Sequence, residues 1–147
     1  MINIKHTAQD LEDMLRDIVL KSGIFVPIAK DMIKYKKYTI IKLPDTAWAV
    51  FLNDNGKKHI SSTFLKVSAF AVCKLHEKRQ TSRIVDIEFN DKIFEKNYMD
   101  SLVYKHTYKV TRDEQTRDNA LWRFEIAHAK AKHAKQIIDG MFYTSVT

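Results

Sequence analysis

The chain has 147 residues, 45% of them apolar and 29% charged, with a net charge of +7. That length suits a single domain and buries about 68–70% of its unfolded surface, so a core needs no staples, and two Trp, six Tyr and eight Phe argue against a disordered chain. One cysteine, Cys73, excludes an internal disulfide and any multi-cysteine zinc site, and no apolar run approaches the ~20 residues that cross a bilayer.

The N-terminal stretch MINIKHTAQDLEDML lacks the apolar core of a signal peptide, which points to the cytoplasm. Thr7 and Asp10 can cap a first helix over 8–22, where Leu11, Met14, Leu15, Ile18 and Val19 recur at helical spacing and Gly23 provides the stop. Residues 24–28, interrupted by Pro27, read as an edge strand or a connector. KDMIKYKKY, residues 30–38, has room for one helical turn. Segments 38–43 and 47–52, rich in Ile, Tyr, Trp, Val and Phe, form a predicted hairpin about Pro44-Asp45-Thr46, and Asn53-Asp54-Asn55-Gly56 is a turn.

A helix over 63–78, capped by Ser61, Ser62 or Thr63, is apolar almost all round and belongs in the middle of the fold. Segments 84–89 and 102–110 alternate apolar and polar residues and read as strands, with a short helix over 93–99 between them; Tyr98, Leu102 and His106 also fit a helix. Thr111 with Glu114 resembles a capping box opening a last helix to Asp139, with Gly140 as its stop. The expected fold is one α+β domain over 1–147, in the order α-β-β-α-β-β-α. It has a small antiparallel sheet of about four strands packed with a central apolar helix and a long C-terminal helix.

The three glycines, Gly23, Gly56 and Gly140, lie far apart, so no loop can bring successive backbone amides against a phosphate. No serine sits in a G-x-S-x-G elbow. His76-Glu77 begins like a zinc-binding H-E-x-x-H, but position 80 is Gln. Glu125 and His128 make an E-x-x-H pair without the second pair that di-iron bundles need. Asp45, Asp86 and Glu88 are an incomplete magnesium set, because Glu88 is followed by Phe89 and Asn90 rather than by E-x-K. A metal-dependent nuclease is therefore a distant third reading, and neither catalysis nor a metal or cofactor is expected. Cys73 lies in the most apolar helix, where a thiol is raised in pKa and packs as a core residue.

Charge is uneven along the chain. Residues 24–85 carry twelve bases and four acids, whereas 1–23 carry three and four and 86–147 carry ten of each. The bases are 19 Lys and 6 Arg, a mixture that AT-rich genomes also produce, and Arg is the better reader of phosphates and base edges. The tract Lys30, Lys34, Tyr35, Lys36, Lys37, Tyr38 and Lys42, followed by Lys57 and Lys58, combines lysines that neutralise phosphates with rings that stack on unpaired bases.

In the last helix, Ala120, Phe124, Ala127, Ala131, Ala134 and Ile138 form one apolar stripe, and Trp122, Ile126, Ala129, His133 and Ile137 form another on nearly the opposite side. The larger side chains of the second stripe are expected to face the domain's own core. The alanine stripe is expected to pack against a second copy as a homo-oligomer interface, the alternative being burial within the chain against the helix over 63–78. The leading expectation is a small accessory protein that binds nucleic acid through the basic middle third. The alternative is a structural or assembly subunit, of the kind that compact or viral genomes carry, acting through the C-terminal helix in a host cytoplasm or virion. No membrane and no small-molecule cofactor is expected as a partner.

Overall fold

A computed structural model describes residues 26–45 and 47–146, so the helix expected over 8–22 lies outside them. Five strands, β1 (Val26–Ala29), β2 (Met32–Tyr35), β3 (Tyr38–Lys42), β4 (Trp48–Asn53) and β5 (Lys57–Thr63), form an antiparallel sheet whose spatial order is the chain order. Pro27 sits on the edge strand, the place in a sheet where a residue without an N–H is tolerated. The expected β3–β4 hairpin is present, with Leu43 N–H bonded to the Ala47 carbonyl at 2.8 Å.

Two strands replace what the sequence pattern implied. The helical turn expected within 30–38 is instead a β2–β3 hairpin, in which Tyr35 pairs with Tyr38 across a two-residue Lys36-Lys37 turn. The alternation Ile33, Tyr35 inward and Lys34 outward gives β2 its period of two. Residues 57–63, expected to turn and cap a helix, form β5, with Ser61 and Thr63 on its buried positions. The sheet thus has five strands rather than four.

The central helix is present as α1 (Lys66–Glu77), with Val67, Ala69, Phe70, Ala71, Val72, Cys73 and Leu75 all buried. It lies between the sheet, which it meets at β4 and β5, and a long antiparallel helical pair, α2 (Thr81–Val110) and α3 (Glu114–Val146). α2 corrects the expected strands at 84–89 and 102–110. Ile84, Ile87, Asp91, Phe94 and Ser101 are its buried positions, spaced three, four, three and seven apart, which is helical periodicity. No glycine or proline occurs from 57 to 139, so nothing interrupts the helix. α3 starts where expected, although the capping side chain is Asp113, whose carboxylate accepts the Thr116 amide at 2.9 Å. Gly140 does not stop it: a Cβ there would meet nothing, and Phe142 beyond it packs on Phe70 with ring centroids 6.1 Å apart.

α2 also supplies the partner of the alanine stripe. Ala120, Phe124, Ala127, Ala131, Ala134 and Ile138 are all at most 5% exposed inside this one chain, while Trp122 is 62% exposed and Ile126 and Ile137 are each 38% exposed. The two stripes therefore take the opposite places from those expected. Small side chains let α3 approach α2 and α1 closely, and that intrachain contact hides the stripe from any second copy.

One buried charged group ties two elements together, and another is paired within its own helix. Asp91 reaches from α2 to accept the amides of Phe64 (2.7 Å) and Leu65 (2.9 Å), which satisfies free donors at the entry to α1. Burial raises its carboxyl above the ordinary value despite those bonds. Lys135, completely buried on α3, pairs with Asp139 one turn on at 2.7 Å.

Candidate functional site

The antiparallel meander places the Lys36-Lys37 turn and the Asp54–Gly56 turn at the same end of the sheet. The Asn53 amide bonds the Lys37 carbonyl at 2.7 Å and ties the two turns together. The last turn of α1 arrives at this end too, because Glu77 and His76 meet the two tyrosines of the β2–β3 hairpin. The Tyr35 hydroxyl donates to Glu77 Oε2, Lys36 Nζ lies 2.5 Å from Glu77 Oε1, and the Tyr38 hydroxyl shares a 2.7 Å hydrogen bond with His76 Nδ1.

The tyrosine rings stack on each other, 6.2 Å apart at 17°, and Lys74 sits 4.6 Å above the Tyr35 ring. Hydrogen bonds from Lys36 and Tyr35 hold the Glu77 carboxyl below its usual range. Burial, and then Glu77, push the Tyr35 phenol up; burial raises Tyr38 to about 12. Burial also pushes the Cys73 thiol up, as its core position implies. Both phenols therefore act as protonated hydrogen-bonding groups at neutral pH, and Glu77 is a carboxylate already matched by Lys36.

A groove of about 380 Å³ opens beside this network, walled by Lys36, Lys37, Asp54, His76 and Arg79 over Tyr38 and Leu52. Among the described residues four non-glycine positions have left-handed backbone, and two of them, Lys36 (φ 49) and Arg79 (φ 58), line this groove. A left-handed non-glycine residue costs of order 1 kcal/mol or more; Lys36 takes that conformation in the two-residue turn, and Arg79 takes it to close α1, its amide on the His76 carbonyl and the Gln80 amide on that of Leu75. The turn and the helix end thereby bring one cation each to the same groove.

This end of the sheet gathers Lys36, Lys37, Lys57, Lys58, Lys74, Lys78 and Arg79 against Asp54 and Glu77. Of the sequence-predicted binding residues, Lys36, Lys37, Lys57 and Lys58 come together here. Lys30 and Lys42 lie at the opposite end, where Lys42 and Lys66 stand 5.6 and 4.6 Å over the Trp48 ring. Lys34 is on the sheet face away from Tyr35, and Tyr35 itself is 2% exposed, so its ring is not offered to a base. Sequence reasoning missed the contribution of α1. Lys74, His76, Lys78 and Arg79 had a sufficient local explanation as complements to the negative end of the helix dipole.

The incomplete metal motifs do not assemble. Asp86 and Glu88 lie on a helix instead of a strand face, Glu88 accepts a bond from Ser61 at 2.9 Å, and Asp45 caps its own turn by accepting the Ala47 amide. Among the described residues no group of three or more His, Cys, Asp or Glu side chains could hold a metal ion, and no helix is long and apolar enough to cross a membrane. Comparison with protein-family models, with curated proteins and with solved structures gave no match.

Proposed function

We propose that this chain is a small nucleic-acid-associated accessory protein, non-catalytic and cytoplasmic (a host cytoplasm or virion if viral), that grips the phosphate backbone with the basic end of its sheet. The carrying observation is the convergence of seven bases and two acids on that end, with Lys36 and Arg79 held there in left-handed backbone. Because Lys36 already neutralises Glu77, the cations open to phosphate are chiefly Lys37, Lys57, Lys58 and Arg79. Contacts of this kind fix a protein on the backbone without reading sequence. With the tyrosine rings turned inward, base stacking contributes little and single strands gain no stacking advantage over duplex.

Fluorescence anisotropy with labelled oligonucleotides tests this directly. Binding at low salt should weaken as salt rises, and Lys37→Glu, Lys57→Glu and Arg79→Glu together should flatten the log–log salt slope on duplex by about 2–3, at ~0.9 per lost phosphate contact. The loss should be equal across sequences. Reversal of Lys30, Lys34 and Lys42, which lie elsewhere, should have a much smaller effect. Absence of any binding at low salt rejects the reading.

A second reading, an assembly subunit, draws on a different observation. Among the described residues, ten large apolar side chains are well exposed, and all but Ile28 lie on α2 and α3. Soluble monomers rarely leave that much apolar surface on one pair of elements without a partner for it.

A further inference from the structure

α2 has two faces. Its inner face packs on α1, β5 and α3, and on its outer face Val85, Phe89, Met99, Val103 and Val110 are between 51% and 65% exposed. These five, with the exposed Lys92, Lys96 and His106, fall into one unbroken series of alternating four- and three-residue steps from 85 to 110. A mean step of 3.5 residues is the period of a coiled-coil seam, and the buried Ile87, Phe94 and Ser101 lie diametrically opposite it.

We propose that this outer face of α2 is a homodimer seam, on which a second copy of the chain packs with its own α2 antiparallel about a two-fold axis between residues 97 and 98. The inference rests on the assembly reading and names its partner. The pairing follows from the sequence of the seam. In the antiparallel register Val85 meets Val110, Phe89 meets His106, Lys92 meets Val103 and Lys96 meets Met99 of the other copy, so each layer has an apolar member and none opposes two cations. A parallel register would stack Lys92 on Lys92 and Lys96 on Lys96, which repel. The flanks agree: Glu88 of each copy lies beside Lys109 of the other at both ends of the antiparallel seam. The central lysines are long enough to lay their stems on the seam and carry their charges to its edge. A strip of 25 residue steps is about 38 Å long and about 10 Å wide, roughly 760 Å² on two copies, which is below the ~1,000 Å² of a tight specific interface and fits a weak, concentration-dependent dimer.

The test is sedimentation equilibrium of the full chain from 5 to 200 µM (a range of roughly micromolar to sub-millimolar affinities), with circular dichroism as the folding control. The wild type should dimerise. Met99→Glu with Val103→Glu should give a folded monomer, whereas Trp122→Glu with Ile126→Glu on α3 should stay dimeric. A spin label on Arg83→Cys, with Cys73 buried and unlabelled, should report labels ~40 Å apart in the antiparallel dimer, from 1.5 Å of rise per residue. Labels within ~15 Å of each other would mean parallel packing and overturn the proposed register. A dimer lost with the α3 pair and kept with the α2 pair would overturn the α2 seam but keep the assembly reading. A wild type that stays monomeric throughout would overturn both.

Discussion

Lys135 shows how much a single side chain is asked to tolerate in this fold. Its ammonium is completely buried, Asp139 is the acid that answers it, and one Asp139 oxygen is itself buried without a hydrogen bond. Burial raises the Asp139 carboxyl, and Lys135 opposes that rise. Removing only the acid, as in Asp139→Ala, leaves an uncompensated buried cation and should cost about 3–5 kcal/mol in urea denaturation. Replacing both, Lys135→Met with Asp139→Leu, should be far closer to neutral, because the desolvation of two charges is removed with their attraction. The tyrosines give a second prediction at this scale. Their folded pKa values exceed the unfolded value near 10, so the folded state holds the phenol protons more tightly. The stability they contribute is complete below pH ~10 and is lost as pH rises through about 12 for Tyr38. Tyrosinate absorbance should show Tyr35 and Tyr38 as two late groups that ionise only as the fold is lost. Tyr38→Phe should remove one of the late pair.

At the level of elements, the two sides of α3 should respond in opposite ways to truncation. Phe124, 1% exposed against α2, should lose about 3–5 kcal/mol as Ala. Trp122, 62% exposed, should change stability by no more than about 0.5 kcal/mol in the same thermal or urea melt. The sequence pattern favoured the reverse, and the reason lies in α2. Val85, Ile87 and Phe89 alternate with Asp86 and Glu88 because one helix here carries apolar residues on two opposite faces, and superposing two helical stripes imitates a period of two. With strands read in place of α2, the helix that covers most of the alanine stripe is missing from the pattern, and a second copy competes with the helix over 63–78 for that place. β3, β4 and α1 were legible because their patterns are single and their turn residues conventional. β2 and β5 were not: Lys36-Lys37 is an unusual choice for a two-residue turn, and β5 buries Ser61 and Thr63 where apolar residues would have announced a strand. The candidate site was half legible for a related reason. The lysines of the two turns carried a charge signal, but their meeting with the end of α1 is a fact of tertiary structure.

For the molecule as a whole, the sheet order has a consequence for the time course of folding. Among the described residues every strand pairs only with its neighbour in sequence, and α2 pairs with α3 across the short link 111–113. Each of these closures fixes a short loop, so little chain entropy is lost before contacts repay it. Topologies of this kind, with a low mean separation between contacting residues, sit at the fast end for their size. The exception is the join between the two halves, where Asp91 crosses 26 positions to hold Leu65 and α1 must settle on both sheet and helices. Stopped-flow refolding should therefore show a rate in the millisecond range or faster, and Asp91→Ala should slow folding as well as weaken the fold, because it removes the contact that docks two quickly formed halves. An Asp91→Ala chain that refolds at the wild-type rate and only unfolds faster would place that docking after the barrier.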